Sequence, residues 1–147
     1  AHKARRCRWI YDKKGGCKLK ILNFGSLNLD YVYDVEHFVR AGETISSVRR
    51  SVFCGGKGLN QSIALARAGA CVFHAGAIGK DGNALVQVLE SSGVDVSQIF
   101  KTEEPSGHAI IQRDCLGQNC IVLYGGANQA ITESLARQAI SRFSPGD

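Results

Sequence analysis

Gly55-Gly56-Lys57-Gly58-Leu59-Asn60-Gln61-Ser62 is the stretch that decides the fold of this 147-residue chain. After the glycines, the apolar residues Leu59, Ile63 and Ala66 recur at helical spacing, and Gly69 is a stop signal. The pattern predicts a glycine-rich turn that opens a helix and points free backbone N–H groups towards a ligand. Taken by itself, the stretch favours a tight strand–helix turn that binds nothing, because short glycine motifs often match by chance.

The two common nucleotide-binding glycine loops do not match this stretch. The phosphate-binding pattern G-x-x-x-x-G-K-[ST] fails twice, because Ser51 replaces its first glycine and Gly58 follows the lysine. The dinucleotide pattern G-x-G-x-x-G fails at Gln61, which stands in its last position. The sequence therefore gives no support for a nucleotide at this loop.

Segments with strand and helix patterns alternate on both sides of the glycine stretch. Buried strands are predicted over 19–24, 71–78 and 94–101, and helices over 59–68, from Asp81 as N-cap to Gly93, and after Thr132 as N-cap. This alternation predicts an α/β fold with a mostly parallel sheet. More polar strands, near 31–53 and in a hairpin over 108–124, predict a small additional sheet with one open face.

Composition excludes several classes of protein. Hydrophobic residues make up 44% and charged residues 21% of the chain, which is typical of a globular domain and not of a disordered or fibrous protein. There is no run of eighteen apolar residues and no apolar segment near the N-terminus, so we expect no membrane association and a cytoplasmic location. Six cysteines without a C-x-x-C pair and four scattered histidines predict no metal site.

Positive charge is concentrated at the N-terminus. Residues 1–20 hold eight of the 18 basic residues but one of the 13 acidic residues. Residues 1–17 show no periodicity, and we predict a disordered basic extension there. A less favoured alternative is a nucleic-acid binder that uses the basic and aromatic side chains of Arg5, Arg6, Arg8, Trp9, Tyr11, Lys13 and Lys14.

A second polar cluster follows the first predicted strand. Asn28 and Asp30 come just after that strand, at the carboxyl end, where ligands bind in open α/β sheets. Their spacing of two directs both side chains the same way, and Asn60 lies one helical turn beyond the glycine loop. Amide and carboxylate groups together suit a polyhydroxylated ligand, although Asn and Asp after a strand also form turns.

On the basis of these residues and several further segments, the chain resembles the ribokinase-like carbohydrate kinases of the phosphofructokinase-B type. The matching segments occur in the same order as in the family, from about Lys18 to the end of the chain. They are Gly25-Ser26-Leu27-Asn28-Leu29-Asp30, Gly42-Glu43-Thr44, the glycine stretch from Gly55 to Ser62, Ala66-Arg67-Ala68-Gly69, Gly76-Ala77-Ile78-Gly79-Lys80-Asp81-Gly82, Gly93-Val94-Asp95, Ser106-Gly107 and Gly126-Ala127-Asn128.

The resemblance implies a three-layer α/β sandwich with a small β-sheet lid, built from the strands near 31–53 and 108–124. It implies ATP-dependent phosphorylation of a primary hydroxyl of a pentose, ribose above others, with fructose or a nucleoside as alternatives. It also implies ATP, Mg²⁺ and a monovalent cation, held mostly outside this chain, and a homodimer formed through the lid. The residues implied to bind the substrate are Asn28, Asp30, Gly55, Gly56, Lys57, Asn60 and, in a lid strand, His108.

The catalytic base of the family is the aspartate of a Gly-Ala-Gly-Asp motif, and this motif does not occur in the 147 residues. The resemblance therefore implies that the catalytic aspartate lies beyond Asp147 and that residues 18–147 are the N-terminal part of the kinase domain. We expect this part to bind sugar and to be inactive as a kinase. A truncated, non-catalytic sugar-binding module is the alternative.

Overall fold

A computed structural model of the protein describes residues 19–147, so the predicted basic extension lies outside the described residues. The strands are β1 Lys20–Phe24, β2 Asn28–Asp34, β3 Arg49–Gly55, β4 Cys71–Ile78, β5 Asp95–Lys101, β6 Gly107–Arg113 and β7 Asn119–Tyr124. The helices are α1 Lys57–Arg67, α2 Asn83–Ser91 and α3 Glu133–Ile140, with a short 3-10 helix over Gly126–Ala130. The predicted alternation of strands and helices is confirmed.

The central sheet is parallel and has three strands in the order β1-β4-β5. Successive residues of β4 face opposite sides of it. His74 contacts Ser62 of α1, while Phe73 packs edge-to-face on Phe143, which follows α3. The sheet thus lies between α1 on one side and the segment after α3 on the other, which gives three layers.

A second, mixed sheet has four strands in the order β3-β2-β6-β7, with β2 antiparallel to β3 and parallel to β6. It corresponds to the small additional sheet predicted from the polar strands, and β6 and β7 form the predicted hairpin. Its bounds differ from the prediction, because β2 already begins at Asn28. Asn28 and Asp30 therefore lie on this sheet and not in a loop.

Two predicted helix caps have different outcomes. The hydroxyl of Thr132 accepts from the backbone N–H of Leu135 at 3.3 Å, as predicted for the N-cap of α3. The prediction for Asp81 is wrong, since Gly82 is the N-cap of α2 and no side chain caps this helix. The carboxylate of Asp81 instead accepts from the backbone N–H of Ser106 at 2.9 Å, just before β6.

Within residues 19–147, none of the helices has the length and apolar character needed to cross a membrane.

Candidate functional site

Close backbone contacts join the glycine loop and the first turn of α1 to the segment between β1 and β2. A Cβ on Gly25, at the end of β1, would lie 2.7 Å from the Cα of Gly58 in the first turn of α1. Gly56 has a φ of 99°, and a Cβ there would lie 2.5 Å from the carbonyl oxygen of Ser26. Only glycine satisfies both the backbone angle and the close approach. The glycine loop is thereby pressed against the chain segment that leads into Asn28.

Asp30 lies directly beside this loop. Its carboxylate occupies the space that a Cβ on Gly55 would take. The side chain is half-buried, and this burial raises the pKa of Asp30 above its ordinary value. Among residues 19–147 its carboxylate has no hydrogen-bond partner. A partly desolvated acceptor without a donor is suited to a ligand that brings hydroxyl groups.

Asn28 is oriented by Asn128, which lies in the 3-10 helix Gly126–Ala130. The side-chain oxygen of Asn128 accepts from the backbone N–H of Leu27 at 3.0 Å, and its amide nitrogen donates to the Leu27 carbonyl at 3.1 Å. The same nitrogen donates to Oδ1 of Asn28 at 2.8 Å. Because Oδ1 of Asn28 is already engaged, its Nδ2 is the atom that it offers to a ligand, as a donor.

Asn128 was missed as a site residue by the sequence reasoning. It lies in Gly126-Ala127-Asn128, which is one of the segments that match the family, but no ligand contact is predicted from that segment. Its distance of 101 residues from Leu27 hides the contact from any local pattern.

Lys57 and Asn60 extend the site along α1. The helix begins at Lys57, directly after the loop, without a side-chain cap and without an acidic residue in its first turn. Asn60 lies three positions further and therefore on the same side of the helix as Lys57. Both side chains are exposed. The positive end of the α1 dipole and two polar side chains thus adjoin the loop that carries Gly55 and Gly56.

A comparison with family models shows to which protein family the chain belongs. The model described as "pfkB family carbohydrate kinase" matches residues 18–145. The chain belongs to this family.

Individual relatives of this pfkB-family chain are ribokinases. It is 36% identical to ribokinase of Haemophilus influenzae over 126 residues, which cover 84% of the chain and 41% of that protein. The solved ribokinase of Cryptococcus neoformans with ADP is 44% identical with a TM-score of 0.69, over 75% of this chain and 35% of that one. Ribokinase of Arabidopsis thaliana with ribose and ATP is 32% identical with a TM-score of 0.71, over 78% and 39%. The chain thus spans well under half the length of these relatives.

The second sheet, β3-β2-β6-β7, corresponds to the expected lid and is called the lid sheet below. Its register separates His108 from the other predicted site residues. Residues paired across neighbouring strands point to the same face, and His108 pairs with Leu29, whereas Ala109 pairs with Asp30. The His108 ring packs against Tyr31 and Tyr124 on the Leu29 face. The structure therefore brings Asn28, Asp30 and the glycine loop together and does not bring His108 to them.

On the Asp30 face, apolar side chains border the carboxylate. Phe53 pairs with Asp30 across β2 and β3, and Leu123 pairs with Ala109 across β6 and β7. Phe53 and Leu123 are 53% and 64% exposed. The polar groups of the site therefore lie next to an open apolar surface, which could cover the C–H face of a sugar or a second protein surface.

Residues 19–147 bring no three side chains of His, Cys, Asp or Glu close enough together to hold a metal ion.

Proposed function

We propose that this chain is the sugar-binding part of an ATP-dependent carbohydrate kinase and that its substrate is a pentose, with ribose as the first candidate. The observation that carries the proposal is the half-buried carboxylate of Asp30, which has no hydrogen-bond partner within residues 19–147 and is held against Gly55 and beside Asn28. Support for ribose comes from the relatives, several of which are ribokinases, one of them solved with ribose and ATP.

The chemistry of the two side chains is complementary to neighbouring hydroxyl groups. Asp30 accepts a charge-assisted hydrogen bond from one hydroxyl, and Nδ2 of Asn28 donates to the oxygen of the next. The missing Cβ atoms of Gly55 and Gly56 leave room for the Asp30 carboxylate and for the Ser26 carbonyl, so that the loop backbone and the carboxylate lie together beside the sugar. Lys57 and Asn60 supply further polar contacts at the mouth of the site.

These residues bind and orient the sugar, and none of them is assigned as the base that takes the proton from its primary hydroxyl. In this proposal the catalytic aspartate and the groups that hold ATP belong to the remainder of a longer kinase, beyond Asp147. Positioning alone is a substantial part of phosphoryl transfer, since the attacking oxygen must be in line with the leaving group.

We also propose that the lid sheet pairs with a second copy of the chain. Phe53, Ile121 and Leu123 lie on the Asp30 face of this sheet, and each is more than half exposed. A dimer would bury this apolar surface and enclose the sugar.

The test is sugar binding by isothermal titration calorimetry with the 147-residue chain. We expect Asp30→Asn, which removes the charge and keeps the shape, to weaken ribose binding about tenfold to a hundredfold, as expected for a lost charge-assisted hydrogen bond. The matched control is Glu90→Gln, on the exposed surface of α2. Wild-type affinity in Asp30→Asn would contradict the proposed site. Binding of fructose or a nucleoside in place of ribose would change the proposed substrate.

A further inference from the structure

A chain of three buried polar side chains crosses the interface between the parallel sheet and α1. Nδ2 of Asn23, on β1, lies 2.8 Å from the hydroxyl of Ser62, on α1. That hydroxyl lies 2.8 Å from Nδ1 of His74, on β4. Ser62 and His74 are fully buried and Asn23 is 8% exposed. Buried polar groups of this kind are costly unless each one is satisfied.

The hydrogen-bonded series Asn23–Ser62–His74 ends on a backbone carbonyl on each side. Nε2 of His74 lies 3.2 Å from the carbonyl oxygen of Gly25, and Nδ2 of Asn23 donates to the carbonyl oxygen of Gly58 at 2.8 Å. Gly25 and Gly58 are the two glycines whose close approach joins β1 to the glycine loop. These buried hydrogen bonds therefore hold Gly25 and Gly58 in the close contact on which the candidate site is built.

The two terminal carbonyls determine the direction of every hydrogen bond in the series. A carbonyl can only accept, so Nε2 of His74 must carry the proton. Nδ1 of the neutral ring is then an acceptor and receives the hydroxyl proton of Ser62, whose oxygen accepts from Asn23. Burial lowers the pKa of His74 to about 4 and so keeps the ring neutral in ordinary buffers. One tautomer alone satisfies all three side chains.

We propose that His74 is a positioning residue: in its Nε2–H tautomer it holds the Gly25 carbonyl and, through Ser62 and Asn23, the first turn of α1, and so sets the geometry of the sugar site. The part that concerns sugar affinity rests on the proposed function, whereas the tautomer and the backbone geometry do not. An apolar side chain would fill the same space without the cost of desolvation. It would leave the Gly25 carbonyl without this donor.

The first test is NMR of the ¹⁵N-labelled 147-residue chain. We expect the long-range spectrum to show His74 protonated at Nε2 and unprotonated at Nδ1 at pH 7. We expect Ser62→Ala and His74→Leu to shift the amide resonances of Gly25 and Gly58 while the fold is retained. The control is Val94→Ala, a cavity in the apolar core before β5, which should leave these resonances in place.

The second test is ribose affinity, measured at a temperature at which every variant is folded. We expect His74→Leu to weaken binding at least tenfold and His74→Gln, which retains a donor for the Gly25 carbonyl, to recover most of that loss. We expect Val94→Ala to lower the free energy of unfolding without a change in affinity, and this separates positioning from mere stabilisation.

Protonation at Nδ1, or unchanged Gly25 and Gly58 resonances in folded His74→Leu, would overturn the proposal. Should His74→Leu fail to fold, the smaller change Ser62→Ala decides by the same resonances. If the wild-type chain binds no sugar, the proposed function fails, while the tautomer and the amide shifts still decide the positioning role.

Discussion

The side-chain amide of Asn128 donates to Oδ1 of Asn28 across 2.8 Å, although 100 residues separate them. Through this bond the 3-10 helix after β7 reaches back to the first residue of β2. The bond determines which way the Asn28 amide points and thus which atom it offers to a ligand. The beginning and the end of the described chain therefore cooperate in one site.

Asn128→Asp tests this relationship directly. The substitution retains an acceptor for the backbone N–H of Leu27 but places a carboxylate oxygen against Oδ1 of Asn28 and against the Leu27 carbonyl. We expect ribose binding, measured by calorimetry, to weaken by at least tenfold, because buried donors and acceptors that lose a partner cost about 1–3 kcal/mol. Gln87→Glu, an amide-to-acid change on the exposed side of α2, is the control. Equal affinities in the two variants would count against the role of Asn128.

Gly56→Ala tests the close approach at the glycine loop. Gly69 offers a matched control, because its φ of 93° is close to the 99° of Gly56, while a Cβ on Gly69 would meet nothing within 4 Å. Both substitutions place an L residue at positive φ, which costs about 1–3 kcal/mol. Gly56→Ala adds a clash with Ser26, so we expect a larger fall in the free energy of unfolding and a loss of ribose binding. Chemical denaturation and calorimetry measure both, and equal behaviour of the variants would refute the steric argument.

His74 predicts a dependence of stability on pH. Its pKa is lowered from 6.5 to about 4 in the folded chain, so the unfolded chain binds more protons between these values. The free energy of unfolding should therefore fall as the pH drops from about 6.5 to 4, by up to about 3 kcal/mol. The groups that hydrogen-bond to the ring, Ser62 and the Gly25 carbonyl, do not titrate.

The measurement is urea denaturation of the wild type and of His74→Gln at pH 7, 6, 5 and 4.5. Carboxylates and the other histidines contribute to both proteins, so the difference between the two curves isolates His74. Parallel curves would mean that the ring is not held neutral.

The 147-residue chain should show no transfer of phosphate from ATP to ribose, even with Mg²⁺ supplied. Transfer needs a base aligned with the attacking hydroxyl and charge stabilisation around the phosphate, and neither is assigned among residues 19–147. A coupled assay for ADP release, on material from a host without its own ribokinase, gives the measurement. Ribose-dependent ADP release above the sugar-free rate would place a catalytic base within this chain.

Local patterns predicted the elements whose determinants are local. The helical spacing after the glycine loop gives α1, the positive φ of Gly69 and Gly93 fits their predicted role as stops after helices, and Thr132 caps α3 through a side chain three residues from its partner. Asp81 has the same local pattern as Thr132. Its carboxylate accepts a hydrogen bond from the backbone N–H of Ser106, which lies 25 residues away. A local sequence pattern does not include this partner.

The candidate site was predictable where chemistry and spacing lie within one segment, as for Asn28, Asp30 and the glycine loop. His108 shows the limit, since its face depends on the register between β2 and β6, and a shift of one residue reverses every side chain of a strand. Asn128 and the chain from Asn23 to His74 depend on contacts between distant segments. Their polar character was visible in the sequence, but their partners were not.

A single residue, Gly56, separates the end of β3 from the start of α1, whereas residues 35–48 connect β2 to β3 without a strand or helix. The loop at Gly56 therefore cannot change length without pulling Gly55 away from Asp30. The 35–48 connection can, because its turn at Gly42 is exposed and has open space around it. For protein engineering, the permissive point for an inserted peptide tag or reporter is Gly42, which leaves Asn28, Asp30 and Gly55 in register.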